Sequence, residues 1–161
     1  MGAGSESLTL LLVDDEENIL NSLRRVLRNE PYRLLEATSG EAALQQLSAT
    51  HVDLVISDAR MPGMDGATFL AQVQQRWPNC LRILLTGYAD LTTTIKAINE
   101  GQIYRYVSKP WDDDELRLVI RQALAFQHSE RERKRLEELT QEQNLKLQEL
   151  NGVLPRYCGH F

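Results

Sequence analysis

Short apolar runs alternate with amphipathic segments along most of the chain. The apolar runs occupy residues 8–13, 32–37, 52–57, 81–85 and 103–108. Each has the length of a strand, and the first and third are almost wholly apolar, as strands buried on both faces are. Between the runs, apolar residues recur at helical spacing. This spacing predicts helices over residues 17–29, 39–49, 66–76 and 90–99, and a fifth that begins after Asp112.

Strict alternation of five strands with five helices predicts an α/β fold, with a parallel sheet covered by helices on both faces. Because crossover connections are right-handed, few topologies remain, and strand order 2-1-3-4-5 is the common one for a domain of this size. That order places the switch point, where ligands bind in such sheets, between the first and third strands.

Two helix starts carry capping patterns. Thr38 and Glu41 form a capping-box pattern for the second helix. Asp112 and Glu115 form another, and the acidic first turn after Asp112 suits the positive end of the helix dipole.

The final helix is predicted to run well past the domain, since neither Pro nor Gly occurs between Asp112 and Asn151. At ~1.5 Å per residue it would form a rod of about 55–60 Å. Leucines and one glutamine then recur at spacings of 3, 4, 4, 3 and 4, at Leu136, Leu139, Gln143, Leu147, Leu150 and Leu154. This heptad seam with one stutter predicts a dimerising coiled coil, with a solvated or frayed helix as the alternative.

The chain of 161 residues, 42% of them hydrophobic, suffices for one domain with an appendage. We divide it into a flexible lead or expression remnant (1–7), a folded domain (8–127), a helical linker with coiled-coil character (128–154) and a tail (155–161). The net charge of −5 argues against nonspecific binding of nucleic acid.

The cellular setting is predicted from what the sequence lacks. Cys80 and Cys158 show no disulfide spacing, which indicates a reduced, cytoplasmic protein. No apolar run approaches the roughly 18 residues of a membrane helix, and residues 1–7 lack the character of a signal peptide.

Charged residues follow three of the predicted strands. Asp14 and Asp15 end the first apolar run, Asp58 ends the third, and Lys109 follows the fifth. Because the carboxyl ends of parallel strands share one edge of the sheet, these side chains are expected to face one pocket. Three carboxylates and an ammonium there predict a site for a divalent metal and a phosphoryl group.

The predicted metal is Mg²⁺, or Mn²⁺, which takes hard oxygen ligands. Asp15 and Asp58 are candidates for direct ligands, Asp14 for a ligand through water, and the backbone carbonyl of Arg60 lies within reach. A carboxylate can also act as a nucleophile and form an acyl phosphate. Asp58, alone on the middle strand, is that candidate.

Two further side chains are candidates for contacts to the phosphoryl oxygens. Lys109 supplies a point charge. Thr86, at the end of the fourth strand, supplies a hydroxyl donor.

Four ordered motifs together resemble the receiver domain of bacterial two-component response regulators, over residues 8–125. They are Leu12-Val13-Asp14-Asp15-Glu16, Ser57-Asp58-Ala59-Arg60-Met61-Pro62-Gly63-Met64-Asp65-Gly66, Thr86-Gly87 and Tyr106-Val107-Ser108-Lys109-Pro110. The resemblance implies a (βα)5, flavodoxin-like fold. It also implies that Asp58 accepts a phosphoryl group from a histidine kinase or phosphotransfer protein, while Asp14 and Asp15 hold Mg²⁺.

The resemblance also implies a switch. Lys109 contacts the phosphoryl group, Thr86 moves toward it, and Tyr106 turns inward behind Thr86. The bond before Pro110 is usually cis in this family, which aims the lysine. Arg60 and Tyr88, beside the site, are candidates for tuning dephosphorylation.

The phosphorylation state would be relayed through the face made by the 90–99 helix, the fifth strand and the final helix. A homodimer is also expected, through this face, the C-terminal helix or both. On this reading the chain is a signalling switch rather than a turnover enzyme, limited to self-catalysed phosphoryl transfer and autodephosphorylation. The alternatives are a stand-alone receiver that acts by binding partners and a Mg²⁺-dependent aspartyl-phosphate phosphatase. Adjacent acids and a nucleophile on another strand disfavour the phosphatase.

The output is expected outside this chain. Residues 104–116 and the following helix resemble regulators with an HD-GYP cyclic-dinucleotide phosphodiesterase. Similar segments precede ATPase-type transcription activators. The chain is then expected to be a fragment that ends before its effector.

Overall fold

The computed structural model describes residues 8–87, 95, 98–99 and 103–151, with side chains through residue 147. The strands are β1 (Leu8–Val13), β2 (Tyr32–Ala37), β3 (Leu54–Asp58), β4 (Leu81–Thr86) and β5 (Arg105–Ser108). The helices whose bounds lie within the described residues are α1 (Glu17–Leu27), α2 (Gly40–Ala49), α3 (Gly66–Arg76) and α4 (Asp113–Asn151).

The five strands form one parallel sheet in the order β2-β1-β3-β4-β5. The predicted flavodoxin-like (βα)5 fold with a long C-terminal helix is therefore confirmed. In this register Val13 lies beside Ser57, so the acidic residues that follow β1 emerge next to the end of β3. The amide of Lys109 donates to the carbonyl of Thr86 at 2.8 Å and carries the β4–β5 pairing one residue further.

Alternate side chains of the sheet enter two apolar cores, one on each face. The core under α2 and α3 includes Leu11, Val13, Val55, Leu84, Phe69 and Val73. The core under α1 and the first part of α4 includes Leu10, Leu12, Ile56, Ile83, Leu23 and Ile120. Residues of both sets in β1 and β3 are fully buried, as their unbroken apolar runs predict.

Two arginines tie α4 to the end of α1. Arg117 donates to the carbonyl of Val26 at 3.1 Å. The guanidinium of Arg121 makes two hydrogen bonds, of 2.6 and 2.9 Å, to the carboxylate of Glu30. Paired geometry of this kind gives orientation as well as attraction. The start of α4 therefore has a defined position on the domain.

The chain divides into two units, residues 1–124 and 125–161. In the first, α4 contributes core residues as far as Leu124. In the second, the helix continues to Asn151, and Leu136, Leu139 and Leu147 are 59%, 45% and 53% exposed. The predicted domain limits at 127 and 154 stay predictions.

Among the described residues, no helix combines the length and apolar character that a membrane crossing requires.

Several predicted limits were wrong by one or two residues. The cap of α2 is Ser39, not Thr38: its hydroxyl accepts the amide of Ala42 at 3.1 Å. The third and fifth strands begin at Leu54 and Arg105, two residues later than predicted, and α1 ends at Leu27.

The cap predicted for the final helix is confirmed, since a carboxylate oxygen of Asp112 accepts the amides of Asp114 and Glu115 at 2.9 and 3.1 Å. Of the helix predicted over 90–99, only Ile95, Ile98 and Asn99 are described, and these are helical. The remainder of that segment and residues 152–161 lie outside the described residues.

Candidate functional site

Three carboxylates meet at the carboxyl edge of the sheet. Oxygens of Asp14, Asp15 and Asp58 all lie within 4.8 Å of one another. Asp14 is fully buried, Asp58 is 6% exposed, and Asp15 faces solvent. Asp14 and Asp15 follow β1, and Asp58 ends β3. The structure thus brings together the three acids that the sequence placed at neighbouring strand ends.

An ammonium group closes the cluster from the end of β5. Nζ of Lys109 lies 2.6 Å from Oδ1 of Asp58 and 3.3 Å from Oδ2 of Asp14. The side chain is 23% exposed, so the contact is only partly open to water. The peptide bond between Lys109 and Pro110 is cis. Charge-assisted contacts of this length are among the stronger hydrogen bonds in proteins.

Gly66 holds the backbone of Asp58 in place, a role that the sequence did not reveal. A Cβ at Gly66 would lie 2.1 Å from the Asp58 carbonyl oxygen and 2.9 Å from Cα of Ala59. The amide of Gly66 also donates to the carbonyl of Ala59 at 3.0 Å. Only glycine fits this approach, whereas its position in the motif indicated no more than a turn.

The β3–α3 loop, residues 59–65, forms one wall of an open cleft over the carboxylates, with a volume of about 570 Å³. Its lining includes Asp15, Asp58, Arg60, Pro62, Asp65 and Lys109. The loop is held at its start by Ala59, whose amide donates to the carbonyl of Leu85 at 2.9 Å. At its end, Asp65 caps α3 by accepting the amide of Thr68 at 2.8 Å. A small anionic group has room in this cleft beside the ammonium.

Residues 10–121 match the family model of the response regulator receiver domain. The chain is a receiver domain of the response regulator family. It is 41% identical over 119 residues to the hydrogenase transcriptional regulatory protein HoxA of Cupriavidus necator, covering 74% of this chain and 24% of that protein. The chain spans only about a quarter of the length of the first curated relatives it matches, 24 to 26%.

Solved structures of receiver domains are also similar to this chain. The signal receiver domain of an HD domain-containing protein from Pseudomonas fluorescens Pf-5 is 56% identical, with a TM-score of 0.76, covering 79% of this chain and 93% of that one. A CheY-like receiver domain protein from Methanospirillum hungatei is 28% identical, with a TM-score of 0.73, covering 78% and 99% of the two chains.

The receiver site carries more negative charge than its lysine neutralises. Burial raises the pKa of Asp14 from 3.8 to about 6, and the charge of Asp58 adds to the rise. Burial likewise raises the pKa of Asp58, against the lowering effect of Lys109. Burial alone would lower the pKa of Lys109, but the hydrogen bond and charge of Asp58 outweigh it and raise that pKa. In the folded protein the carboxyl groups of Asp14 and Asp58 are therefore harder to ionise than in water, despite the ammonium beside them.

These residues fit the Mg²⁺ that receiver domains bind at an acidic pocket. The acidic cluster offers hard oxygen ligands on neighbouring atoms, the kind that Mg²⁺ prefers. Asp15 is exposed to the cleft, so an ion can be reached by both protein oxygens and water. A divalent cation at the cluster would also lower the carboxyl pKa values that burial raises, because its charge would stabilise the ionised carboxylates.

The remaining predicted residues lie around this cluster. The Thr86 side chain is buried, and its hydroxyl donates to the carbonyl of Gly87 at 3.2 Å. Tyr106 is 50% exposed, so its ring points out of the core in this structure. Arg60 lines the cleft. Tyr88 lies outside the described residues, and the roles predicted for all four stay predictions.

Proposed function

We propose that Asp58 is the phosphoacceptor of this receiver. The observation that carries the proposal is the 2.6 Å contact between Lys109 and Asp58 inside the acidic cluster. It marks Asp58 as the carboxylate beside which the phosphoryl charge would be stabilised. An Asp58 oxygen attacks the phosphorus of a phosphohistidine, the phosphorus–nitrogen bond breaks, and the imidazole of the kinase or phosphotransfer protein takes up a proton.

In this proposal Asp14, Asp15, Asp58 and the Arg60 carbonyl would hold Mg²⁺ or Mn²⁺. A bound ion would neutralise charge on the incoming group. Lys109 acts independently of it, since its ammonium already lies at hydrogen-bond distance from the attacking carboxylate. After transfer the ammonium turns from the carboxylate to a phosphoryl oxygen, so the same residue orients the nucleophile and stabilises the product.

Phosphorylation then drives a switch through charge. It adds roughly −1.5 to −2 charges and three acceptor oxygens. Thr86 gives up its bond to the Gly87 carbonyl for a phosphoryl oxygen, and Tyr106 turns into the space behind it. One to three new charge-assisted hydrogen bonds would contribute ~1.5–3 kcal/mol each. Moving a two-state equilibrium from 1:99 to 99:1 requires about 5.5 kcal/mol. Thr86 and Lys109 together therefore suffice for most of the shift.

The output travels along β5 into α4, which leads to an effector. We favour an HD-type effector because the chain is 56% identical to the receiver of an HD domain-containing protein and 41% identical to the transcriptional regulator HoxA. Two copies would pair through the exposed leucines of α4, and phosphorylation would change their packing or register. The reading frame beyond Phe161 tests the effector: an ATPase domain there would overturn this assignment.

The phosphoacceptor is tested by incubating the protein with acetyl phosphate and Mg²⁺ and measuring intact mass. We expect one phosphoryl group per chain in the wild type and none in Asp58→Asn. Glu16→Gln makes the same change of charge at the rim of the cleft and should retain the label. Labelling that persists in Asp58→Asn, or sustained release of phosphate from a phosphomonoester, would contradict the proposal.

A further inference from the structure

The tip of the β3–α3 loop rests on the first residue of α2. A Cβ at Gly40 would lie 2.9 Å from Sδ of Met64 and 3.3 Å from its Cβ and Cγ. Gly40 is buried and begins the helix. The side chain of Met64 therefore fills the space that any other residue at position 40 would need.

A second contact joins the same two elements. Gly63, beside Met64, has a positive φ of 79°, a conformation that favours glycine. A Cβ at Gly63 would lie 3.3 Å from Oε2 of Glu41, the second residue of α2. Two consecutive loop residues thus lie against two consecutive helix residues.

The Met64 side chain is also fixed from α3. The Nε2 of Gln72 donates to Sδ of Met64 at 3.7 Å, a weak contact that gives orientation more than energy. Met64 packs against the core beneath α2 and α3. The thioether therefore lies between two helices and joins them to the loop that walls the cleft.

We propose that Gly40 and Met64 form a seat that positions the β3–α3 loop. Gly40 is then a positioning residue for a site it does not touch. The inference rests on the proposed function, because the loop carries Arg60, whose carbonyl would complete the metal site. Outer contacts of this kind commonly set the affinity of a metal site, since they fix the angle at which each ligand is presented.

Gly40→Ala tests the seat directly. The added methyl group must displace Met64, so Mg²⁺ affinity measured by isothermal titration should fall about tenfold, as for lost outer contacts at other metal sites. Amide hydrogen exchange over residues 59–65 should become faster in metal-free protein. Unchanged affinity and exchange in a folded Gly40→Ala variant would overturn the proposal.

The Met64→Ala background shows whether Gly40→Ala acts through Met64 or through the stability of α2. Met64→Ala removes the side chain that the methyl group at position 40 would contact. Adding Gly40→Ala to Met64→Ala should therefore change Mg²⁺ affinity by less than about twofold. An equal effect of Gly40→Ala in both backgrounds would overturn the proposal. If Gly40→Ala does not fold, Met64→Ala carries the test alone, with the same weakened binding and faster loop exchange expected.

Ser39→Ala is the matched control. It removes the cap of the same helix but leaves Gly40 and Met64 in contact, so Mg²⁺ affinity should stay within about twofold of wild type while stability falls. If Ser39→Ala weakens Mg²⁺ binding as much as Gly40→Ala does, the effect is one of helix stability and the seat is refuted.

The seat and the proposed function can fail separately. If the wild type binds Mg²⁺ and is labelled on Asp58, and Gly40→Ala behaves identically, only the seat is refuted. If the wild type neither binds Mg²⁺ nor is labelled, the proposed function is refuted. Amide hydrogen exchange over residues 59–65 then decides by itself whether the seat exists.

Discussion

Lys109 and Asp58, 51 residues apart in sequence, meet at 2.6 Å between the ammonium nitrogen and a carboxylate oxygen. The contact joins the segment after β5 to the end of β3, across the intervening strand β4. It also brings the ammonium within 3.3 Å of Asp14. One cation therefore serves two buried carboxylates.

Removing that cation should harm both stability and labelling. In Lys109→Ala the two carboxylates lose their shared ammonium, and we expect a loss of roughly 2–3 kcal/mol in the free energy of unfolding at neutral pH, since breaking such a pair leaves buried charge uncompensated. Labelling by acetyl phosphate should slow by at least about tenfold. Urea denaturation and intact-mass kinetics measure the two effects. Lys109→Arg keeps the charge and should recover most of the stability; equal loss in both variants would contradict a charge effect.

Asp14→Asn should stabilise the metal-free domain at neutral pH. Folding raises the pKa of Asp14 to about 6 from 3.8, so protonated Asp14 favours the folded state. This contribution is fully present below pH 3.8 and is lost as the pH rises through 6. We expect the free energy of unfolding of Asp14→Asn to exceed that of the wild type at pH 7.5 by at most the roughly 3 kcal/mol that the pKa change represents, a figure in which the Lys109 contact is already included.

Urea denaturation in EDTA at several pH values checks this, and the difference between the two proteins should shrink toward pH 4. Asparagine retains the oxygen that accepts the Glu16 amide at 2.9 Å, so local geometry is preserved. Added Mg²⁺ should stabilise the wild type more than the variant. A less stable Asp14→Asn in EDTA at pH 7.5 would contradict the burial effect.

Two glycines of the same loop region should differ sharply in tolerance. Gly66→Ala places a methyl carbon 2.1 Å from the Asp58 carbonyl oxygen, and backbone must move, at a cost of about 3 kcal/mol or more. Gly63→Ala strains its positive φ, at about 1–2 kcal/mol, and its methyl group meets only the end of the Glu41 side chain, at 3.3 Å, which can move aside. Thermal unfolding ranks the two variants. Equal melting temperatures would contradict this prediction, because they would show that the backbone beside Gly66 can move at little cost.

The exposed leucines of α4 predict self-association through one face of the helix. Leu139 lies on the proposed seam, whereas Leu145, 60% exposed, lies off it. Leu139→Lys should shift the wild-type dimer toward monomer in sedimentation experiments, because a charge in the seam opposes helix pairing. Leu145→Lys should sediment as the wild type. A monomeric wild type, or equal effects of both changes, would contradict the seam.

Local signals located the elements but not every boundary. Ser39 caps α2 although Thr38 has the better capping-box partner, since the helix begins at Gly40. The third strand begins at Leu54, where pairing to both β1 and β4 starts. Strand limits depend on partners far along the chain, so hydrophobicity within a strand does not set them.

The sequence by itself determined the alternation of strands and helices and the order of the four motifs, because burial imposes a period on each segment and parallel strands share one edge. Only the tertiary structure decided that Asp14 is fully buried while its neighbour Asp15 faces the cleft. It alone showed Gly66 against the Asp58 carbonyl and Met64 on Gly40. Desolvation and close contact arise from atoms brought together by folding, so no local pattern records them.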